Sequence, residues 1–244
     1  MIARRCLHRR RSAGSVMLET VIALPVVLGM GLMVVQWALV HEARAFVEYG
    51  ALMAARAGAL ENGRTGPMKT ALARALTPLK VPESSSLDFE TRFATRARPD
   101  VELNGRIRIL NPTREAFLDH GRRDDRGRTY LPFRDVHHGG ARRGRHSDLS
   151  LADATLLRVQ VTYGYPLQIP WGGWLIREAA EAANRFARDA GLFERRLLAA
   201  NRLPITATAT VRLQSRAWSG RQFPARRDLP AVKRKKPPPA RQDR

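Results

Sequence analysis

The hydrophobic rhythm of the chain changes along its length. From Thr20 to Val40 it runs TVIALPVVLGMGLMVVQWALV, 21 residues without a charge. At about 1.5 Å per residue a helix of that length crosses a ~30 Å hydrocarbon core. The helical pattern then continues through HEARAFVEYGALMAARAGALENG, where Phe46, Tyr49, Met53 and Ala57 recur at spacings of three and four, and Asn62-Gly63 is a stop signal. A second short helix is predicted over Met68 to Leu76, ending before Pro78. Period two follows. Strands are predicted over Leu87 to Ala97, with Leu87, Phe89, Thr91, Phe93 and Thr95 on one face, and over Val101 to Leu110.

Asn111 to Phe117 reads as a turn opening a short helix, with Thr113 as its cap. Residues 119 to 148 carry paired charges, Gly139-Gly140 and almost no apolar period, the pattern of a surface loop. Alternation returns where Leu157, Val159, Val161 and Tyr163 interleave with Arg158, Gln160 and Thr162, a half-buried strand ended by Pro166 and Pro170. Trp171 and Trp174 are expected to anchor the next turn in the core or at the membrane surface, core packing being the default. Residues 175 to 202 read as helix with a weak point at Gly191, and Ile205 to Leu213 as a closing strand. The implied fold class is α+β. A long helix over 15–63, membrane-spanning at about 18–40, precedes a domain over 64–218 with an antiparallel sheet of about four strands and short helices. Residues 219–244 form a basic, proline-rich tail expected to be disordered.

The net charge of +21 raises the question of nucleic acid, but the charge is concentrated at the ends. Residues 1–14 hold five arginines and no acid, and residues 221–244 hold nine basic against two acidic residues, whereas the long middle is mildly basic. Lysine is scarce, five against 38 arginines, a skew that genomic base composition produces without selection for phosphate contacts. Arg142, Arg143, Arg145 and the run Lys233 to Lys236 are the best support for a nucleic-acid partner, and no base-stacking aromatics interleave with them. The weight is therefore against one.

Cys6 is the single cysteine and lies in the basic leader, so a mature chain lacking the leader has no thiol nucleophile, disulfide or thiolate metal site. His137, His138 and His146 with Asp135 and Asp148 have no ligand spacing and read as a solvated loop. Neither GxSxG, HExxH nor a phosphate loop is present. The expectation is a non-enzyme without metal or cofactor.

Basic residues before an apolar stretch also suit a secretory signal, but its apolar region is normally only about 7–15 residues. The small-residue site at Ala43 and Ala45 sits among His41, Glu42 and Arg44. Arg4, Arg5, Arg9, Arg10 and Arg11 crowd the near flank, which predicts a cytoplasmic amino terminus and an exported carboxy-terminal part. Within the apolar run Glu19 is the anomaly, because an ionised carboxylate in a membrane segment costs about 2.5–3.5 kcal/mol unless it finds a partner.

The order RRRSAG then SVMLE places a glycine, Gly14, after a basic leader and makes Glu19 the fifth residue of a chain starting at Ser15. This resembles the processing site of type IV pilins and pseudopilins. The resemblance implies cutting by a prepilin peptidase between Gly14 and Ser15, and pairing of Glu19 with a neighbouring subunit's new terminal amine. ETVIALP, with Pro25 six residues beyond Glu19, resembles the EFALVLP-type segment of TadE-like proteins, minor pseudopilins of the tight-adherence (Flp pilus) system. Pro25 should also loosen or kink a membrane helix. The AARAGA stretch, the NPT turn and the two later strand patterns add to the likeness. Two departures stand out: Ser15 and Thr20 occupy positions where phenylalanine is usual, and the first puts amine methylation in doubt. The resemblance implies a single-pass inner-membrane subunit whose partners are prepilin peptidase, other pseudopilins and Flp pilus assembly proteins. The competing readings are a membrane-anchored nucleic-acid binder in DNA uptake and a pseudopilin of another type II secretion-like system.

Overall fold

A computed structural model describes residues 13–80, 88–135, 142–168, 178 and 191–229. The chain divides into two compact units, one of residues 1–44 with 164–204 and the other of residues 45–163 with 205–244.

The expected long helix is α1, Ala13–Leu60, continuous through Pro25. In the first unit Gln36 and Ala43 on α1 are buried, as are Tyr165, Leu167, Leu197 and Leu198. Gly164 permits close packing there, because an added Cβ would lie 2.5 Å from a Leu197 methyl, and its carbonyl accepts from Arg202 Nη1 at 2.9 Å. Burial raises the Tyr165 hydroxyl above its ordinary pKa, and the charge of Glu42 adds to the effect.

In the second unit the small residues of α1 form its buried stripe: Ala51, Ala54, Ala55 and Ala59 with Val47. A Cβ on Gly50 would meet Leu72 at 2.8 Å, and one on Gly58 would strike Met68. The lack of side chains is what lets α2, Thr65–Leu76, approach so closely. Asn62 and Gly63 take positive φ (58° and 73°), and Gly63 N–H donates to the Gly58 carbonyl at 2.8 Å, closing α1 as its stop signal requires. Ser215 Oγ accepts from Asn62 N–H and donates to the Ala59 carbonyl, each at 2.8 Å, so the end of α1 is sealed by a residue distant in sequence.

The strand expected over Leu87 to Ala97 is instead helical: α3, Phe89–Arg92, a π turn, Phe93–Ala97, and α4, Arg98–Asn104. Leu87 itself lies outside the described residues. Burial falls on Phe93, Ala97 and Val101, a spacing of four, while Thr91 and Thr95 are exposed. Pro99 cannot donate a backbone hydrogen bond, and the wide turn ahead of it closes through Arg98 N–H to the Phe93 carbonyl. The second expected strand therefore loses its first four residues to α4 and begins at β1, Gly105–Asn111.

Thr113 holds the N-cap position of α5, Arg114–His120, but its hydroxyl makes no capping bond and is buried without a hydrogen-bond partner. The loop over 119–148 is also more structured than its charges suggest. Arg122–Arg123 and Thr129–Tyr130 form a small antiparallel pair, β2 and β3, around a turn in which Gly127 has φ 74°. Residues 136–141 lie outside the described residues.

After α6, Leu151–Ala154, comes β4, Leu156–Pro166, which pairs antiparallel with β1, Ile107 opposite Val161. Leu157, Val159, Val161 and Tyr163 are fully buried, as their alternation requires, while Arg158 is exposed. Thr162 is buried too, within 3.1 Å of the Thr206 hydroxyl. Residues 169–174, with Trp171 and Trp174, lie outside the described residues, as do residues 175–177 and 179–190 of the helix expected over 175–202. Gly191 is the N-cap of α7, Leu192–Ala199, and Arg202 already opens β5, Arg202–Arg212. The sheet therefore has three strands in the order β1-β4-β5, with a separate two-stranded ribbon.

Behind the sheet the Tyr163 hydroxyl donates to Asp100 Oδ2 at 2.5 Å, and Lys80 Nζ lies 2.9 Å from the same oxygen. The first part of the expected disordered tail is packed. Phe223 is fully buried against Phe117, ring centroids 4.8 Å apart, and the carbonyls of Phe223 and Pro224 accept from Arg114 at 2.9 Å. Residues 230–244 lie outside the described residues.

Candidate functional site

The first turns of α1 carry the residues singled out from sequence. Gly14 and Ser15 lie in its opening turn, and Glu19 follows Ser15 by four residues, one turn along the same side. The Glu19 side chain is exposed, and no described residue pairs with it. Pro25 sits inside the helix without ending it, and its ring deprives the Val21 carbonyl of the usual backbone donor. Gly29 and Gly31 face open space.

Between Val21 and Trp37, ten large apolar side chains are more than half exposed, and they occupy every face of the helix; Val21, Leu24, Val27 and Val34 are each above 60%. Burying such a side chain is worth about 1.5–3 kcal/mol. Leaving ten of them largely bare in water forgoes on the order of 10 kcal/mol, as much as the whole stability of a typical domain. A helix that is apolar all round belongs inside protein or lipid. Among the described residues this is the one helix long and apolar enough to cross a membrane.

The other candidate chemistry has a structural explanation. Asp119 is almost fully enclosed, its side chain 6% exposed, and accepts from Ser147 N–H and Ser147 Oγ at 2.7 Å and from His146 N–H at 3.1 Å, with His146 Nδ1 2.7 Å away. Burial by itself raises the carboxyl's pKa. The bonds from Ser147 and His146 outweigh it and hold Asp119 well below the ordinary carboxylate range. The Ser147 hydroxyl donates to the carboxylate, not to the imidazole, so the trio lacks the serine-to-base hydrogen bond of a nucleophilic site. It clamps residues 144–149 onto α5. Among the described residues no group of three or more His, Cys, Asp or Glu could hold a metal ion. His137 and His138 lie outside them.

Arg142, Arg143 and Arg145 are exposed, Arg143 lying 3.6 Å from Asp148, and Lys233 to Lys236 lie outside the described residues. Sequence reasoning missed a different cationic group. Tyr130 and Trp218 meet edge to face at 5.5 Å, with Arg216 over the first ring and Arg128 over the second. No spacing along the chain joins these residues. Their meeting depends on residues 129–131 pairing with residues 217–219.

No protein-family model, curated protein or solved structure matches the chain.

Proposed function

We propose that the chain is a TadE-like minor pseudopilin, an assembly subunit of a Flp-type pilus or related secretion machine. A prepilin peptidase cuts it between Gly14 and Ser15 and leaves it in the inner membrane by α1, with the carboxy-terminal part exported. The role is structural, without catalysis, cofactor or nucleic acid.

The observation that carries this reading is Glu19, a carboxylate on an apolar helix with no described partner of its own. In lipid such a group costs about 2.5–3.5 kcal/mol if left alone, and none of the described residues offers it a charge partner. Cutting before Ser15 creates an ammonium one helical turn away from Glu19. On a neighbouring subunit that ammonium supplies the missing charge, and the two desolvation costs offset each other.

The test is amino-terminal mass spectrometry of membrane-extracted protein, made with and without the peptidase. Expected is a chain starting at Ser15 only when the peptidase is present. Gly14→Ala abolishes the shift, whereas Glu19→Ala leaves cleavage intact and lowers recovery in the assembled complex. A chain starting at Met1, or after Ala45, under both conditions sinks the reading.

A further inference from the structure

The paired segments 129–131 and 217–219 of the second unit build a cationic groove. Leu131 N–H donates to the Ala217 carbonyl at 3.1 Å and Ser219 N–H to the Thr129 carbonyl at 2.8 Å, which fixes Tyr130 beside Trp218. Arg216 lies 5.0 Å from the Tyr130 ring centre, Arg128 lies 4.1 Å from that of Trp218, and Arg134 lies 5.7 Å from that of Phe133. Arg128 is paired with Asp124, its Nη2 3.2 Å from Oδ2, and Arg216 adds to the positive field on that carboxylate. Contact with a ring leaves a guanidinium's charge in place and its N–H edge suited to a planar acceptor. Beside these rings an open cavity of about 400 Å³ is lined by Arg122, Arg134, Arg216, Asp135 and Tyr130, among others. That volume falls within the range of about 300–1,000 Å³ seen for small-molecule sites.

Arg122 is balanced by Asp135, 2.5 Å away, which leaves the charges of Arg134 and Arg216 as the excess on the lining. The groove therefore presents guanidinium forks together with acceptors, Asp135 and the Tyr130 hydroxyl. Nucleic acid fits this mixture poorly. A DNA phosphodiester has no hydroxyl to donate to Asp135, and one face of each central ring is already taken by a guanidinium. A carboxylate-bearing sugar fits it well. Its carboxylate accepts bidentately from a guanidinium, and its hydroxyls donate to Asp135 and Tyr130.

We infer that this groove is a binding site for acidic, carboxylate-bearing oligosaccharide, with Arg134 and Arg216 holding carboxylates and Asp135 accepting from sugar hydroxyls. The test is calorimetric titration of the full chain in nonionic detergent with hexagalacturonate, with neutral maltohexaose and hexathymidylate as comparators. Hexagalacturonate binds, and maltohexaose binds at least about tenfold more weakly. Arg216→Gln and Arg134→Gln each weaken hexagalacturonate about tenfold or more, as loss of a charge-assisted bidentate contact requires. Arg145→Gln, on the exposed 142–145 run, leaves it unchanged. Arg216→Gln also removes the contact with Tyr130, so Arg134→Gln, whose side chain is exposed, serves as the variant that spares the fold, checked by an unchanged melting curve.

Three results overturn the inference: no binding of hexagalacturonate, affinity unmoved by both variants, or hexathymidylate binding as tightly with steep salt dependence. Binding in detergent requires neither cleavage at Gly14 nor assembly, so this proposal and the pseudopilin reading fail separately.

Discussion

Helix α1 runs unbroken from Ala13 to Leu60, yet its two stretches are written for different surroundings. From Val21 to Trp37 the side chains are large and apolar on every face, and most are more than half exposed. From Val47 to Ala59 the buried side chains, Val47, Ala51, Ala54, Ala55 and Ala59, are small and recur at close to helical spacing, whereas Phe46, Leu52 and Met53 are half-buried and Tyr49 is exposed. The backbone is the same in both. The second stretch gains its place by letting α2 come close at Gly50 and Gly58, where bulk would push the helices apart. The first has open space at Gly29 and Gly31, and apart from Gln36, which is buried, and Leu32 and Met33, which are half-buried, its side chains from Val21 to Trp37 are exposed. Side-chain size and period, more than helix propensity, thus tell which stretch is covered by its own chain and which needs an outside apolar phase.

The sharpest break in this comparison is to place the same charge in each stretch. Val47 is fully buried in the second unit, and Val47→Asp buries a carboxylate without a partner at a cost of several kcal/mol, enough to unfold that unit. Val27→Asp costs about 2.5–3.5 kcal/mol only on insertion into lipid. It is therefore expected to move protein from the membrane fraction to the soluble or aggregated one while leaving the protease resistance of residues 45–163 unchanged. If Val27→Asp unfolded the second unit, or Val47→Asp left its resistance intact, the division of α1 would be wrong.

How much of this was legible in the sequence depends on how many residues carried each pattern. The apolar run of α1 and the buried face of β4 extend over many positions and hold in the structure, although Thr162 on the expected outer face is buried as well. The helical stretch over 89–104 was misread because Phe89 and Phe93 satisfy spacings of two and of four equally. Ala97 and Val101, the residues that continue the fourfold stripe, were the deciding signal. Phe223 stands alone among prolines and arginines, so no period announced that it fills the space over Gly63 and against Phe117. At the amino terminus the candidate residues Gly14, Ser15, Glu19 and Pro25 form a local motif and needed no fold to be found. The groove at Tyr130 and Trp218 is the opposite case, since backbone pairing between distant segments creates it.

A milder pair of substitutions tests the size rule itself. Gly58→Leu drives side-chain atoms into Met68 and Leu157, and overpacking of this kind costs about 1–3 kcal/mol. Gly29→Leu meets nothing within 4 Å and removes a flexible residue from a helix, so stability should stay level or rise by about 0.5–1 kcal/mol. Urea midpoints of the detergent-solubilised variants measure both. Equal losses at the two glycines would mean that the first stretch is as closely packed as the second.

Acid should separate the regions by the smallest margin. Partition of the Val21 to Trp37 stretch rests on apolar side chains that do not titrate, whereas the second unit depends on the Asp119 carboxylate held by Ser147 and His146. Its folded pKa lies below the unfolded value of about 3.9, so the stability it contributes is fully present above that pH. As pH falls below about 4 and on through the low folded pKa, that contribution is progressively lost. Asp119→Asn keeps one acceptor oxygen and should cost about 1–2 kcal/mol at pH 7, with the gap to the native chain narrowing as the pH drops below about 4. Chemical denaturation at a series of pH values reads that gap directly. A gap that stays constant down to pH 2 would show that the charge on Asp119 contributes nothing to the clamp and that its remaining oxygen and the packing around it carry the whole effect.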